Sequence, residues 1–268
     1  MIRKIVPLRG LHSLLACALV VTLTGGCAPT KSLTKAGYEE FRRSNVGIVV
    51  LVPERRIEFQ EVLYKVLFSD VQTSFYSVDN IWDPAPVLGG HAVKFLSSAH
   101  AIAVVPLWQR LEPGPYRELV GRLETTFNAA RRRHTANPRT YQTAFQIEWQ
   151  HSPPMAYLGA SRPELKHSLL GAGIDHLLEL SIGGITLTRN PIQFSILVFT
   201  YARLIRLSDG AVIWDGKGLG VSQIADVEQY SQLEANNLAL LKQHYEKAVM
   251  NLFDPTNGNN VLAGLQPH

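Results

Sequence analysis

Cysteine is almost absent from this chain of 268 residues, which contains only Cys17 and Cys27. Cys17 lies inside an apolar N-terminal stretch that we expect to be removed, so the mature chain would keep one thiol, at its first position. One thiol forms no disulfide within its own chain and builds no metal site from several cysteines. The sequence therefore excludes a disulfide-stapled scaffold and a thiolate metal centre.

An excess of one charge is also lacking once the N-terminal stretch is set aside. The full chain has 26 Lys and Arg residues against 22 Asp and Glu, a net charge of +4. Arg3, Lys4 and Arg9 are the charged residues of positions 1–27, which leaves 23 basic against 22 acidic residues, a net +1. Nucleic-acid binding needs a strongly positive surface, so we expect no nucleic-acid partner.

Familiar catalytic motifs are missing as well, including G-x-S-x-G, H-E-x-x-H, G-x-x-x-x-G-K-[ST] and C-x-x-C. Gly216-Lys217-Gly218 is similar to a fragment of a phosphate-binding loop, but Gly218 stands where Mg²⁺ would need a Ser or Thr. The triplet also falls inside a predicted strand. The sequence thus predicts no catalytic residue and no cofactor, and it favours a protein that is not an enzyme.

The histidines are not spaced like metal ligands. His91 and His100 are nine residues apart, about two and a half helical turns, which places them on opposite sides of a helix. Zinc needs three or four converging ligands, so we predict no metal site. Asp175-His176 could pair an orienting carboxylate with a base. The favoured interpretation is structural, with Asp175 capping backbone amides and His176 beginning a strand.

The N-terminus has the organisation of an export signal. The cationic start is followed by an apolar run over Leu11–Leu23 of about 13 residues, too short to cross a hydrocarbon core of ~30 Å as a helix. Leu23-Thr24-Gly25-Gly26-Cys27 then resembles the lipobox of bacterial lipoproteins, although the usual Leu three residues before the cysteine is replaced by Thr24. An ordinary signal peptide cut nearby, with a chance cysteine, is the alternative.

The resemblance implies that residues 1–26 are a signal peptide, that the chain is cut before Cys27, and that Cys27 is triacylated with palmitate among its acyl groups. Several acyl chains anchor a protein far more firmly than one chain does. In that class an Asp after the cysteine marks retention in the inner membrane, whereas Ala28 stands here. The resemblance therefore implies a lipid anchor in the outer membrane, with the protein facing the periplasm.

Four segments are expected after the signal. Residues 27–44 are predicted to be the lipidated N-terminus and a flexible polar tether, with a docked N-terminal arm as the alternative. Residues 45–254 are predicted to form one globular domain, with a possible boundary between lobes in the irregular stretch 134–160. Residues 255–268 are predicted to be a flexible C-terminal tail.

The first half of the domain mixes strand and helix patterns. A β-branched run indicates a buried strand at Val46–Val52, and we expect strand pairing around residues 57–63, with a helix over 57–68 as the competing prediction. The further predictions are two short strands in 64–78 around Ser69-Asp70, a loop at Asp79–Gly90, a short helix at His91–Ser98, a strand at Ala101–Leu107 and a helix at Pro115–Arg133.

The second half has clearer signals. A capping box at Ser161 and Glu164 begins a helix, and a strand at Leu177–Leu187 carries a bulge at Gly183-Gly184. Asp209-Gly210 predicts a hairpin between Phe194–Leu207 and Ala211–Leu219. Asp226 and Gln229 predict a capping box for a long helix that ends at Asp254-Pro255. The fold class is therefore α+β, with a mixed, largely antiparallel sheet covered by helices, a C-terminal β-hairpin and a long final helix.

The pattern over residues 161–253 resembles the small domain of some envelope lipoproteins, namely curli-secretion lipoproteins and penicillin-binding-protein activators. This resemblance implies a non-catalytic role in assembly or activation, with an envelope protein as partner. No diagnostic motif accompanies it, so it assigns no functional residue.

One charge cluster and one aromatic segment form a candidate interaction surface. Interface cores favour Arg and aromatic side chains, and the candidates are Arg131, Arg132, Arg133, Tyr141, Trp149 and Tyr157. The alternative for the arginines is a helix C-terminus, where cations complement the helix dipole. A binding or assembly protein of the envelope is the favoured function, with an envelope hydrolase or a lipid carrier as alternatives.

Overall fold

A computed structural model of the chain describes residues 33–53, 55–64, 69–77, 81–134, 163–189, 193–225, 227, 229–256 and 260–265. Its elements in chain order are α1 (Lys35–Arg42), β1 (Asn45–Leu51), β2 (Arg56–Tyr64), β3 (Ser69–Ser77), α2 (Ala85–Ala99), β4 (Ala103–Pro106), α3 (Leu107–Arg110), α4 (Pro113–His134), α5 (Pro163–Gly171), β5 (His176–Arg189), β6 (Phe194–Arg206), β7 (Val212–Ile224), α6 (Tyr230–Leu252) and a 3₁₀ turn (Ala263–Leu265). Within these ranges no helix combines the length and the apolar character that a membrane crossing requires.

Strand β5 is the centre of a mixed sheet. Its first half pairs in parallel with β1, which also pairs in parallel with β4, and its second half pairs in parallel with β2. Along its other edge β5 pairs antiparallel with β6, and β6 pairs antiparallel with β7. The predicted α+β class, the C-terminal hairpin and the long final helix are confirmed.

The two faces of the sheet carry separate apolar cores. Side chains alternate along a strand, so Ile48 and Val50 of β1 face one core while Val49 and Leu51 face the other. Helices α2 and α6 cover the first core, and α3, α4 and α5 contribute to the second. The continuous apolar run of β1 follows from this burial on both faces.

The turn chemistry of the second half is confirmed in two places. The Asp209 carboxylate accepts the amide of Ala211 at 3.0 Å, and Gly210 takes a positive φ of 72° that favours glycine. The pairing of β5 with β6 shifts register between Ile182 and Gly184, which is the predicted bulge. The helix after residue 161 also begins as expected, at Pro163, although its Ser161 cap lies outside the described residues.

The final helix begins later than the predicted capping box places it. Gln229 is the N-cap and its partner is Gln232, whose Oε1 accepts the Gln229 amide at 2.9 Å. Asp226, which we expected to be the cap, lies outside the described residues. The prediction was wrong because a glutamine pair three residues apart can form the same reciprocal cap as the more usual Asp and Gln.

The predicted loop over 79–90 was wrong from residue 85 onward, because α2 begins there and includes Gly89 and Gly90. Prolines suit the start of a helix, where Pro84 is the N-cap and Pro86 lies in the first turn. Gly89 lets the helix approach its neighbours, since a Cβ there would lie 2.6 Å from Cη2 of Trp108. Glycine and proline, taken as loop signals, serve here for helix initiation and close packing.

The hairpin of β2 and β3 replaces the expected short strands. Residues 69–77 form one strand that pairs antiparallel with 56–64, so the helical alternative over 57–68 was wrong for 57–64. Two strands broken around Ser69-Asp70 were also wrong. The two strands pair continuously from Arg56 with Ser77 to Tyr64 with Ser69. This continuous pairing excludes a helix over 57–64 and a strand break at Ser69-Asp70.

Both ends of the described chain are docked, where the sequence predicted a tether and a tail. Leu33 and Phe41 are 6% and 0% exposed, so residues 33–44 form the docked arm that was the alternative. At the other end Val261, Leu262 and Leu265 are buried against the sheet. A few apolar residues inside each polar stretch are sufficient to attach both segments, because burying one large apolar side chain stabilises the fold by about 1.5–3 kcal/mol.

Candidate functional site

A cluster of polar contacts joins α1 to the sheet. Nδ1 of His176, the first residue of β5, lies 2.9 Å from the hydroxyl of Ser44, which precedes β1. The Ser44 hydroxyl also donates to the carbonyl of Phe41 at 2.7 Å. A hydroxyl has one proton, so Nδ1 of His176 must carry its own proton and donate to Ser44. Both side chains are buried.

Glu40 of α1 lies beside the same imidazole. Its Oε1 is 3.8 Å from Nε2 of His176 and 3.3 Å from Nε of Arg206, at the end of β6. Neither nitrogen forms a hydrogen bond within the described part of the chain, so the carboxylate acts on them through its charge. Arg206 also pairs with Asp209 at 3.2 Å, which extends the charged network into the hairpin turn.

Burial decides the protonation of His176. Removal from water lowers the pKa of His176 from its ordinary value of 6.5, although the carboxylates of Glu40 and Asp175 act to raise it. The desolvation of a cation thus exceeds the attraction of its neighbours. The imidazole is therefore neutral at pH 7, with its proton on Nδ1.

The carboxylate of Glu40, the imidazole of His176 and the hydroxyl of Ser44 follow the same order as the acid, base and nucleophile of a catalytic triad. A serine nucleophile needs a neighbouring nitrogen that accepts its proton. Here that nitrogen donates, and the hydroxyl proton is held by the Phe41 carbonyl. The arrangement is suited to clamping α1 onto the sheet, and not to activating Ser44.

Asp175 confirms the structural interpretation made from sequence. Its carboxylate accepts the backbone amide of Asn45 at 2.9 Å, and the Asn45 side chain donates to the carbonyl of Gly173 at the same distance. These bonds tie the turn before β5 to the start of β1. Asp175 and His176 are neighbours in sequence but serve separate contacts.

A second polar pair, which sequence reasoning missed, crosses the middle of the sheet. Glu179 of β5 lies opposite Arg203 of β6, and the carboxylate accepts a hydrogen bond from Nε of Arg203. Burial raises the pKa of Glu179 well above its ordinary range and lowers that of Arg203 to about 9. The available signal was a charged residue in the interior of each of two largely apolar strands.

Three further histidines each contact a different element. The Tyr38 hydroxyl lies 3.3 Å from Nδ1 of His100, and Oε1 of Glu246 lies 3.9 Å from Nε2 of His91. Oγ of Ser222 lies 2.8 Å from Nδ1 of His244. Among the residues that the structure describes, no group of three or more His, Cys, Asp or Glu side chains is placed to hold a metal ion.

The candidate interaction surface is not tested by these contacts. Arg131, Arg132 and Arg133 belong to the last turn of α4, which ends at His134, but their side chains lie outside the described residues. Tyr141, Trp149 and Tyr157 lie outside them too, as does nearly all of the stretch 134–160.

Gly216-Lys217-Gly218 lies within β7, as the strand interpretation predicted. The glycine allows close packing there, because a Cβ at Gly216 would lie 2.7 Å from the carbonyl oxygen of Val261. Phosphate loops join a strand to a helix, and this segment instead continues a strand. The triplet is thus part of the sheet.

No protein-family model and no curated protein matches the sequence. Solved structures with a related arrangement include lipoprotein GNA1162 from Neisseria meningitidis, at 12% identity over 75% of this chain and 96% of that chain, with a TM-score of 0.34. The PelC dodecamer from Paraburkholderia phytofirmans is similar at 10% identity over 90% and 96%, with a TM-score of 0.37. The LpoB C-terminal domain from Salmonella enterica is similar at 12% identity over 79% and 94%, with a TM-score of 0.23. Likenesses at these TM-scores place the chain in no family.

Proposed function

We propose that this chain is a non-catalytic, lipid-anchored protein of the outer membrane that faces the periplasm and acts by binding other envelope proteins. The observation that carries the proposal is the lipobox-like sequence ending at Cys27, directly after an apolar run too short to span a bilayer. Ala28 in the position after the cysteine supports the outer membrane over the inner one.

The polar clusters favour binding over catalysis. His176 donates to Ser44 and holds α1, Asp175 caps the Asn45 amide, and the paired Glu179 and Arg203 are buried inside the sheet. Groups engaged in this way stabilise the fold. They are not poised for proton transfer, which needs a base that reaches the reacting group.

Replacement of Cys27 tests the anchor. In cells fed labelled palmitate, Cys27→Ser should lose the label and either stay unprocessed or leave the outer-membrane fraction. Cys17→Ser is the matched control, since the proposal discards that cysteine with the signal, and it should behave like the native chain. Retained label and unchanged membrane fractionation in Cys27→Ser would contradict the proposal.

The binding role needs a separate experiment. Crosslinking of the tagged full chain in intact cells, followed by mass spectrometry, should recover specific envelope proteins with the native chain and lose them when Cys27→Ser mislocalises it. A soluble bystander exported to the same compartment controls for crowding. Recovery of the same proteins with the bystander would count against a binding role.

An envelope hydrolase is the second candidate, because Ser44 lies 2.9 Å from an imidazole with a carboxylate beyond it. A fluorophosphonate is attacked by an activated serine with loss of fluoride, so the probe separates the two functions. The favoured proposal expects no labelling of the native chain. Labelling that Ser44→Ala abolishes and Ser222→Ala preserves would establish the hydrolase, since Ser222 belongs to the other serine–histidine contact.

A further inference from the structure

The docked helix α1 shortens the connection between the proposed lipid anchor and the folded body. Leu33 is 6% exposed and belongs to the first apolar core, so the folded body includes that residue. Leu33 is six residues after Cys27. A fully extended chain of that length spans about 20 Å, which is the greatest distance from the acylated cysteine to the body.

Helix α1 lies at one end of the sheet. Its segment contacts the start of β5 through Ser44 and His176, and the end of β6 through Glu40 and Arg206. Tyr38 contacts His100, the C-cap of α2, three residues before β4 begins. The parallel strands β1, β4 and β5 all begin at this end. We call it the α1 end.

The opposite end of the sheet lies beyond the reach of the anchor. Ser195 is eleven residues from Arg206 along β6, a rise of about 36 Å at the usual spacing of strand residues. Gln223 of β7 pairs with Ser195 and is exposed. Placing that far end against a bilayer would lift the α1 end by about 36 Å, and a connection of about 20 Å cannot bridge this distance.

We propose that the α1 end is the membrane-facing surface of this protein, with the phospholipid headgroup layer as its occupant, and that the far end of the sheet points into the periplasm. The inference rests on the proposed acylation of Cys27. It adds an orientation and locates partner binding away from the α1 end.

The charges of α1 indicate that the connection, and not electrostatic attraction, sets this orientation. Lys35, Arg42 and Arg43 are opposed by Glu39 and Glu40 within the same segment. Such a balanced surface has little attraction for anionic lipids, and salt screens what remains. The orientation should therefore persist at high ionic strength.

Energy transfer from single labelled cysteines measures the orientation directly. Acylation consumes Cys27, so a cysteine introduced at Ser208 or at Gln223 would be the thiol available to a donor dye; both positions are exposed, the first near the α1 end and the second at the far end. The acylated protein is placed in vesicles of phosphatidylethanolamine and phosphatidylglycerol that contain an acceptor-labelled headgroup. Transfer should be clearly stronger for Ser208→Cys than for Gln223→Cys, in low and high salt. Equal or reversed transfer would overturn the orientation.

A lengthened connection provides the matched control. A Gly/Ser insertion of about 30 residues after Ala28 extends the possible reach to more than about 100 Å and should abolish the difference between the two positions. A difference that survives the insertion would overturn the role of the short connection. Mass spectrometry of the purified chain separates the two levels of failure: absent acyl groups reject the anchor itself, whereas an acylated chain with equal transfer rejects the orientation alone.

Discussion

Arg203 lies directly opposite Glu179 on neighbouring antiparallel strands, and the two side chains are 2% and 0% exposed. Removing a pair of charges from water costs several kcal/mol per ion, so such a pair persists only when each partner compensates the other. On β7 Asp215 stands in register with Arg203, and its charge opposes the fall in the arginine pKa. A shift of register by one residue would separate these charges, so the polar line across three strands favours the observed register.

Loss of one member of this pair should destabilise the fold strongly. Arg203→Met leaves Glu179 buried without its partner, and we expect the free energy of unfolding to fall by about 3–5 kcal/mol. Arg189→Met is the matched control: its ion pair with Glu61 also joins two strands, but the side chains are 40% and 30% exposed, so the expected loss is below about 1 kcal/mol. Urea denaturation measures the unfolding free energy of both variants. Equal losses would contradict the expectation that the buried pair matters more to stability than the exposed one.

His176 should make stability depend on pH. Burial lowers its folded pKa below 6.5, so at mildly acidic pH the unfolded chain binds a proton that the folded chain does not. The stabilisation is present above pH 6.5 and is lost as the pH falls from there toward the lower folded pKa. His176→Gln should reduce the drop in unfolding free energy between pH 7.5 and pH 5 measured by urea denaturation. The native slope will not vanish, because burial also lowers the pKa of His100 and His244. An unchanged slope in His176→Gln would refute this role.

Gly220 should tolerate no side chain. A Cβ there would lie 2.1 Å from the carbonyl oxygen of Ala248, so β7 and α6 would have to separate. We expect Gly220→Ala to lower the free energy of unfolding by about 1–3 kcal/mol. Gly184→Ala is the control in another strand, where a Cβ meets nothing within 4 Å. Alanine there should be neutral or stabilising by up to about 1 kcal/mol, because it restricts the unfolded chain. Thermal unfolding of both variants distinguishes the outcomes.

The C-terminal segment should contribute to global stability. Leu265 is fully buried, and its amide bonds to the carbonyl of Leu262 at 3.1 Å. Leu265→Ala should lower the unfolding free energy by about 2–5 kcal/mol, the usual range for a buried leucine. Met250→Ala is the control, since Met250 is 53% exposed. A negligible effect of Leu265→Ala in urea denaturation would restore the expectation of a flexible tail.

Local patterns predicted much of this fold. The β-branched run of β1 and the Asp209-Gly210 turn were recognised because a continuous apolar run and turn chemistry both depend on residues close in sequence. The candidate site was less predictable. His176 was identified as a residue of interest, but Ser44 is 132 positions away in sequence, and no local period links the two. The glycines and prolines at the start of α2 were interpreted as loop signals. Gly89 instead allows close packing against Trp108, a contact with a residue outside the segment that local sequence does not reveal.

The proposed chemistry of the N-terminus depends on the sequence alone, since a peptidase and an acyltransferase would act on an extended segment whose side chains carry the whole signal. The sequence also determined the mixed α+β class, and it predicts a mature chain with a near-zero net charge and no intrachain disulfide. Only the tertiary structure decided that α1 is docked and that Glu179 meets Arg203. Polar residues of α1 give a linker-like composition, and the burial of Leu33 and Phe41 exists only once the sheet provides an apolar surface. That docking converts the expected tether over 28–44 into a connection of a few residues between Cys27 and the body.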